Sequence, residues 1–158
     1  MFAHRIHLFH HPPSGERGQS LVEFALMLPI LLLMLMGTLD LGRLYFAYVA
    51  IHNAAGEGAL YAAINPQCIH AGDGPACADP NNAEYRAKHE SPAGAIDWTR
   101  IAIDVEPADR SGLREGDPIT IIVRYDYDIL TPVISPLAEH GQLKLTASAV
   151  QDVLDLQQ

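Results

Sequence analysis

The hydrophobic pattern of the chain opens as an unbroken run rather than an alternation. From Leu21 to Leu39 every position is apolar or small except Glu23, and the stretch "ILLLMLMG" has no polar face. An amphipathic core helix keeps one polar side, so this run predicts a membrane-spanning helix instead. At 1.5 Å per residue it extends about 28 Å, close to the thickness of a bilayer's hydrocarbon. Pro29 lies inside it. There it removes one helical hydrogen bond and predicts a bend that lipid tolerates.

Beyond the run, Leu44 to Ile64 continues with no breaker other than Gly56 and Gly58, until Asn65 and Pro66 stop it. Residues from about 20 to 64 therefore form one helix of roughly 67 Å, its first half in the membrane and its second half in a head domain. Ala50, Ala54, Gly58 and Ala62 recur at i, i+4, i+8 and i+12 along that second half. Such a stripe permits close approach, either to a neighbouring helix or to the head's own sheet, and the spacing leaves both open.

The pattern then loses its period. "NPQCIHAGDGPACADPNN", residues 65–82, is rich in turn formers and brackets part of itself with Cys68 and Cys77. A short helix over Asn82 to His89 follows, and then period two takes over. Ile101, Ile103 and Val105 alternate with Ala102, Asp104 and Glu106. Ile119, Ile121, Val123 and Tyr125 alternate with Thr120, Ile122, Arg124 and Asp126. Leu143, Leu145 and Ala147 alternate with Lys144, Thr146 and Ser148. "PADRSGLREGDP" and the longer "LTPVISPLAEHG" connect the three strands. The fold class is α+β: one long N-terminal helix, with a small antiparallel three-stranded sheet packed on its second half, a layout that resembles the pilin-like fold.

Charge adds an orientation. Residues 1–18 carry Arg5, Arg17 and Glu16, a net of +1 before any histidine is protonated, against −9 for the whole 158-residue chain. Positive flanks stay cytoplasmic, so the head is expected on the far side of the cytoplasmic membrane, reached by a single pass. In an oxidising periplasm Cys68 and Cys77 would form a disulfide across the loop. An acidic chain without clustered Lys and Arg offers no nucleic-acid footprint.

The start of the run has its own chemistry. A secretory signal would end in a small A-x-A site, but the chain here reads "GTLDLGRLYF", so the apolar helix is expected to stay. Cleavage after Gly18 instead would begin the mature chain at Gln19 and make Glu23 its fifth residue, the arrangement of a prepilin. The neighbouring Gly15 would put Ser20 at that place, not an acid. Glu23 admits two readings. A carboxylate near a helix end can snorkel to the headgroups. Alternatively it can pair with the new amine at Gln19 of a neighbouring subunit, since two complementary buried charges are far less unfavourable than one.

Residues 17–63, "RGQSLVEFALMLPILLLMLMGTLDLGRLYFAYVAIHNAAGEGALYAA", resemble the TadE-like family, minor pseudopilins of the tight-adherence (Flp) pilus system. The resemblance rests on the glycine before the polar start, "VEFAL", Pro29, Asp40 with Arg43, and "NAAGEGA". It implies a cytoplasmic leader over 1–18, an assembly helix over 19–40 with Glu23 and Phe24 in the contacts, and an extracytoplasmic head over 41–158. The implied partners are other pilins and pseudopilins, the pilus assembly machinery, a prepilin peptidase and the membrane. The rival is an unprocessed single-span protein whose head binds a partner in an envelope complex.

Enzymatic motifs are missing from the sequence: there is no G-x-S-x-G, no phosphate-binding glycine loop and no HExxH. His10 and His11 fall in the leader, and Asp73, Asp79 and Glu84 lack the ligand alternation of a calcium loop. No catalytic residue, metal site or cofactor is expected.

Overall fold

The computed structural model describes residues 16–89, 96–131 and 141–154. Most of the expected leader, residues 1–15, and most of the connection between the second and third strands lie outside these residues. The chain divides into two compact units, Met1–Met36 and Gly37–Gln158. Helix α1, Glu16–Ile64, supplies the described residues of the first unit and enters the second. It starts earlier than residue 20, so the Gly18–Gln19 bond lies within its first turn. The helix continues through Pro29.

In the second unit α1 is followed by the cysteine loop, a short helix α2 (Ala83–His89), and strands β1 (Ile101–Glu106), β2 (Pro118–Asp128) and β3 (Gln142–Asp152). The sheet is antiparallel in the order β1-β2-β3. Its register pairs Ile103 with Val123 and Val123 with Ala147, which puts the apolar positions of all three strands on one face. β2 and β3 run beyond the alternating stretches expected for them, because their pairing continues to Asp128↔Gln142 and Pro118↔Asp152. On β3 the inward face is weaker than its pattern suggests: Leu145 and Ala147 are buried, but Leu143 is exposed.

The core is built from small residues on the helix and larger ones on the sheet. Ala47, Ala50, Ile51, Ala54, Ala55, Ala59, Ala62 and Ala63 are buried with Ile119, Ile121, Val123, Tyr125 and Tyr127. Alanines bring the helix backbone close to the branched side chains of β2, so packing density is reached with few large residues on the helix. Past β3, Leu154 N donates to Ala63 O at 2.9 Å, tying the strand's exit to the end of α1.

α2 is anchored by Asn82, whose side chain is buried. Its Oδ1 accepts from Tyr85 N at 2.7 Å, an N-terminal cap, while its Nδ2 donates to Cys77 O at 3.0 Å and Asp79 Oδ1 at 2.7 Å. Cys68 and Cys77 are joined by a disulfide, as expected, with their Cα atoms 5.0 Å apart.

Candidate assembly helix and the base of the head

Every residue from Leu21 to Met36 is exposed. Within α1, Gly18–Ile64 is long and apolar enough to cross a membrane, and nothing in the described residues covers its most apolar stretch. Folded domains do not leave a surface of this size in water, so it marks contact with lipid or with other apolar helices. Such a helix fits a single-pass membrane protein.

Gly18, Gln19, Glu23 and Phe24 all lie on this exposed part of the helix. A side chain at Gly18 would meet nothing within 4 Å. Gln19 Nε2 donates to Glu23 Oε1 at 3.1 Å, the ordinary i, i+4 reach of a helix.

The small-residue stripe lies elsewhere. Ala50, Ala54, Gly58 and Ala62 are buried inside the head. A Cβ added at Gly58 would stand 3.3 Å from Ile121 Cγ2 and 3.4 Å from Ala87 Cβ. Of the two occupants that the spacing left open, the sheet and α2 take the stripe in this chain, because β2 and α2 converge there.

Asp40 and Arg43, spaced by one helical turn, acquire a role that sequence reasoning did not assign. Asp40 is 7% exposed. Its Oδ2 accepts from Thr131 N at 2.6 Å and from Thr131 Oγ1 at 2.5 Å, and Arg43 Nη1 lies 3.4 Å from Oδ1. Tyr127 OH donates to Asp40 O at 3.3 Å, and the Arg43 guanidinium stands 5.6 Å from the Tyr127 ring centroid. The carboxylate thus pins the end of the β2 segment to α1. A conspicuous acid directly after an apolar run was the one available signal, but its partner lies 91 residues away.

A second polar cluster holds the cysteine loop. Asp73 Oδ2 accepts from Ile69 N at 2.9 Å and His70 N at 3.0 Å, with Arg110 Nη2 at 3.1 Å. Partial burial pushes the Asp73 carboxyl up, but the His70 and Ile69 N–H groups and the Arg110 charge outweigh it and hold it below the ordinary aspartate value. Glu84, between Lys88 and His70, is likewise held low against its own burial. A groove of about 410 Å³ beside α2 is lined by Ala71, Asp79, Asn82, Glu84, Tyr85, Lys88 and His89. Its acids are already engaged, Glu84 with Lys88 and Asp79 with Asn82. Among the described residues no group of three or more His, Cys, Asp or Glu is placed to hold a metal.

Comparison with known proteins finds one family. The family model described as TadE-like protein matches residues 18–60, from the first turn of α1 to the last turn but one. No curated protein and no solved structure matches the chain. The match begins at the glycine ahead of the polar start and ends within the buried half of the helix, so it spans the exposed run and the stripe as far as Gly58. Over residues 18–60 this chain is similar to TadE-like proteins.

Proposed function

We propose that the protein is a minor pseudopilin of a tight-adherence (Flp) pilus, cut between Gly18 and Gln19 by a prepilin peptidase and assembled through the exposed part of α1. One observation carries this reading: the first turn of α1 holds a glycine that has no packing neighbour among the described residues. Glycine in a helix costs roughly 0.5–1 kcal/mol relative to alanine. Nothing among the described residues crowds Gly18, which supports a small residue kept there for recognition by another molecule rather than for packing.

Glu23 completes the arrangement. It is the single ionisable side chain between Gln19 and Leu39, one helical turn from the residue that cleavage would expose. Its hydrogen bond from Gln19 puts the carboxylate within a side chain's length of that position. In a stack of helices withdrawn from lipid, the Gln19 amine of one subunit and the Glu23 carboxylate of the next neutralise each other, while Phe24 and its apolar neighbours supply the non-polar contact. The positive leader keeps the N-terminus cytoplasmic, and the disulfide suits a head on the oxidising side.

A second reading draws on the helix itself. Because α1 begins at Glu16, the Gly18–Gln19 bond is helical, and a peptidase has to unwind that turn to reach it. An unprocessed single-span protein whose head binds an envelope partner keeps the turn intact. Mass spectrometry of the membrane-extracted chain separates the two, since a start at Gln19 is expected of the pseudopilin and retention of residues 1–18 of the rival. For assembly, Glu23→Gln is expected to insert and be cleaved yet recover few other pilus subunits, whereas Gly18→Leu keeps its leader. Normal partner recovery by Glu23→Gln would remove the carboxylate from the assembly mechanism.

A further inference from the structure

The exposed side chains of α1 change character in order as the helix enters the head. Leu39 and Leu41 come first, then Arg43, then Tyr45, Phe46 and Tyr48, and after them only His52, Asn53 and Glu57 before Leu60. Leu41, Tyr45 and Phe46 are 65%, 64% and 67% exposed, although each has the bulk to be buried. Leu130 is 63% exposed and precedes Thr131, the residue held by Asp40, so a second apolar side chain lies at the level of this turn.

A protein partner would not require apolar, then amphipathic, then polar residues in sequence along one axis. A bilayer interface does. Tyr and Trp gather where one end of the ring can sit among acyl chains and the other among headgroups. Phe46 lies about 10 Å of helix beyond Leu39, while the polar zone on each side of the hydrocarbon is roughly 5–8 Å deep. Helical side chains lean toward the N-terminus, which lowers the rings by part of that difference. The Tyr45 and Phe46 rings meet edge to face at 6.4 Å, forming one small apolar wedge. The Arg43 side chain is half exposed and placed for a lipid phosphate.

We propose that the base of the head, formed by Leu41, Tyr45 and Phe46 of α1 with Leu130, rests in the headgroup interface of the same bilayer that holds the apolar run. This rests on the membrane-anchored reading of that run. Docked in this way, Asp40 and its Thr131 contacts lie at the water boundary, and the base fixes the depth at which the head stands before assembly.

The test uses full-length protein in phosphatidylcholine vesicles carrying bromines near the top of one acyl chain. Phe46→Trp and Asn53→Trp place reporters on one helix face, two turns apart, both at exposed positions, and the parent chain with Trp98 alone gives the baseline to subtract. Quenching at 46 at least roughly twofold stronger than at 53 is expected, with the chain retained in the vesicles after alkaline extraction. Equal quenching in a retained chain overturns the interfacial base and leaves the anchor standing. Release by alkaline extraction overturns the anchor, and the base with it.

Discussion

Replacing Asp40 tests whether the head is held to α1 by a buried carboxylate. In Asp40→Ala, Thr131 loses the acceptor for both its N–H and its hydroxyl, and Thr131 is 2% exposed, so water does not replace it. A buried donor left without a partner costs about 1–3 kcal/mol, and Asp40→Ala leaves two of them, the Thr131 N–H and hydroxyl. The Arg43 contribution is small by comparison, since at 3.4 Å with a half-exposed side chain it belongs with surface pairs of at most about 1 kcal/mol. Thr131→Val deletes only the hydroxyl bond and is expected to cost about 1.5–3 kcal/mol, the range for bonds to a charged group. The double variant should cost less than the sum of the two. The assay is denaturant unfolding of the oxidised full-length chain in detergent micelles, followed by Trp98 fluorescence and near-ultraviolet dichroism. A loss below about 1 kcal/mol for Asp40→Ala, or strict additivity with Thr131→Val, would refute the pinning role.

The remaining predictions concern the head. With the bridged cysteines nine positions apart, Cys68→Ser is expected to lower stability by about 2–3 kcal/mol, measured by the same unfolding, and neither parent thiol should alkylate without reductant. Asp73 and Glu84 have carboxyls held below their unfolded values, so their stabilisation is complete above about pH 4.5 and is lost as pH falls through the folded values. Acid titration of unfolding should show this, and Asp73→Asn should flatten part of the slope. Gly58→Leu should cost about 1–3 kcal/mol by pressing on Ile121 and Ala87, whereas Gly56→Ala, with nothing within 4 Å, should gain about 0.4–1 kcal/mol; equal effects in thermal melts would contradict the packing described.

What the sequence determined by itself is whatever depends on periodicity and local chemistry. The apolar run from Leu21 to Leu39 has no polar face, and Asn65-Pro66 ends a helix wherever it lies, so α1 was legible to its last residue, Ile64, though it starts at Glu16 rather than about residue 20. The alternation around Ile103, Ile121 and Leu145 names an inward face because a strand has a period of two, and it remains right even where β2 and β3 run longer than the pattern. Cys68 and Cys77 sit close enough in the chain for a bridge to be read directly. The tertiary structure decided what distance along the chain conceals. The Ala50 to Ala62 stripe is equally suited to a neighbouring helix or a sheet, and only the arrival of Ile121 and Ala87 at Gly58 settles its occupant within the head. Asn82 reads as one more loop residue until Cys77, Asp79 and Tyr85 surround it. Asp40 is the clearest case: as sequence it is an acid after a membrane run, and as structure it is a buried acceptor for Thr131, because hydrogen bonds between distant segments obey no spacing that a linear pattern could reveal.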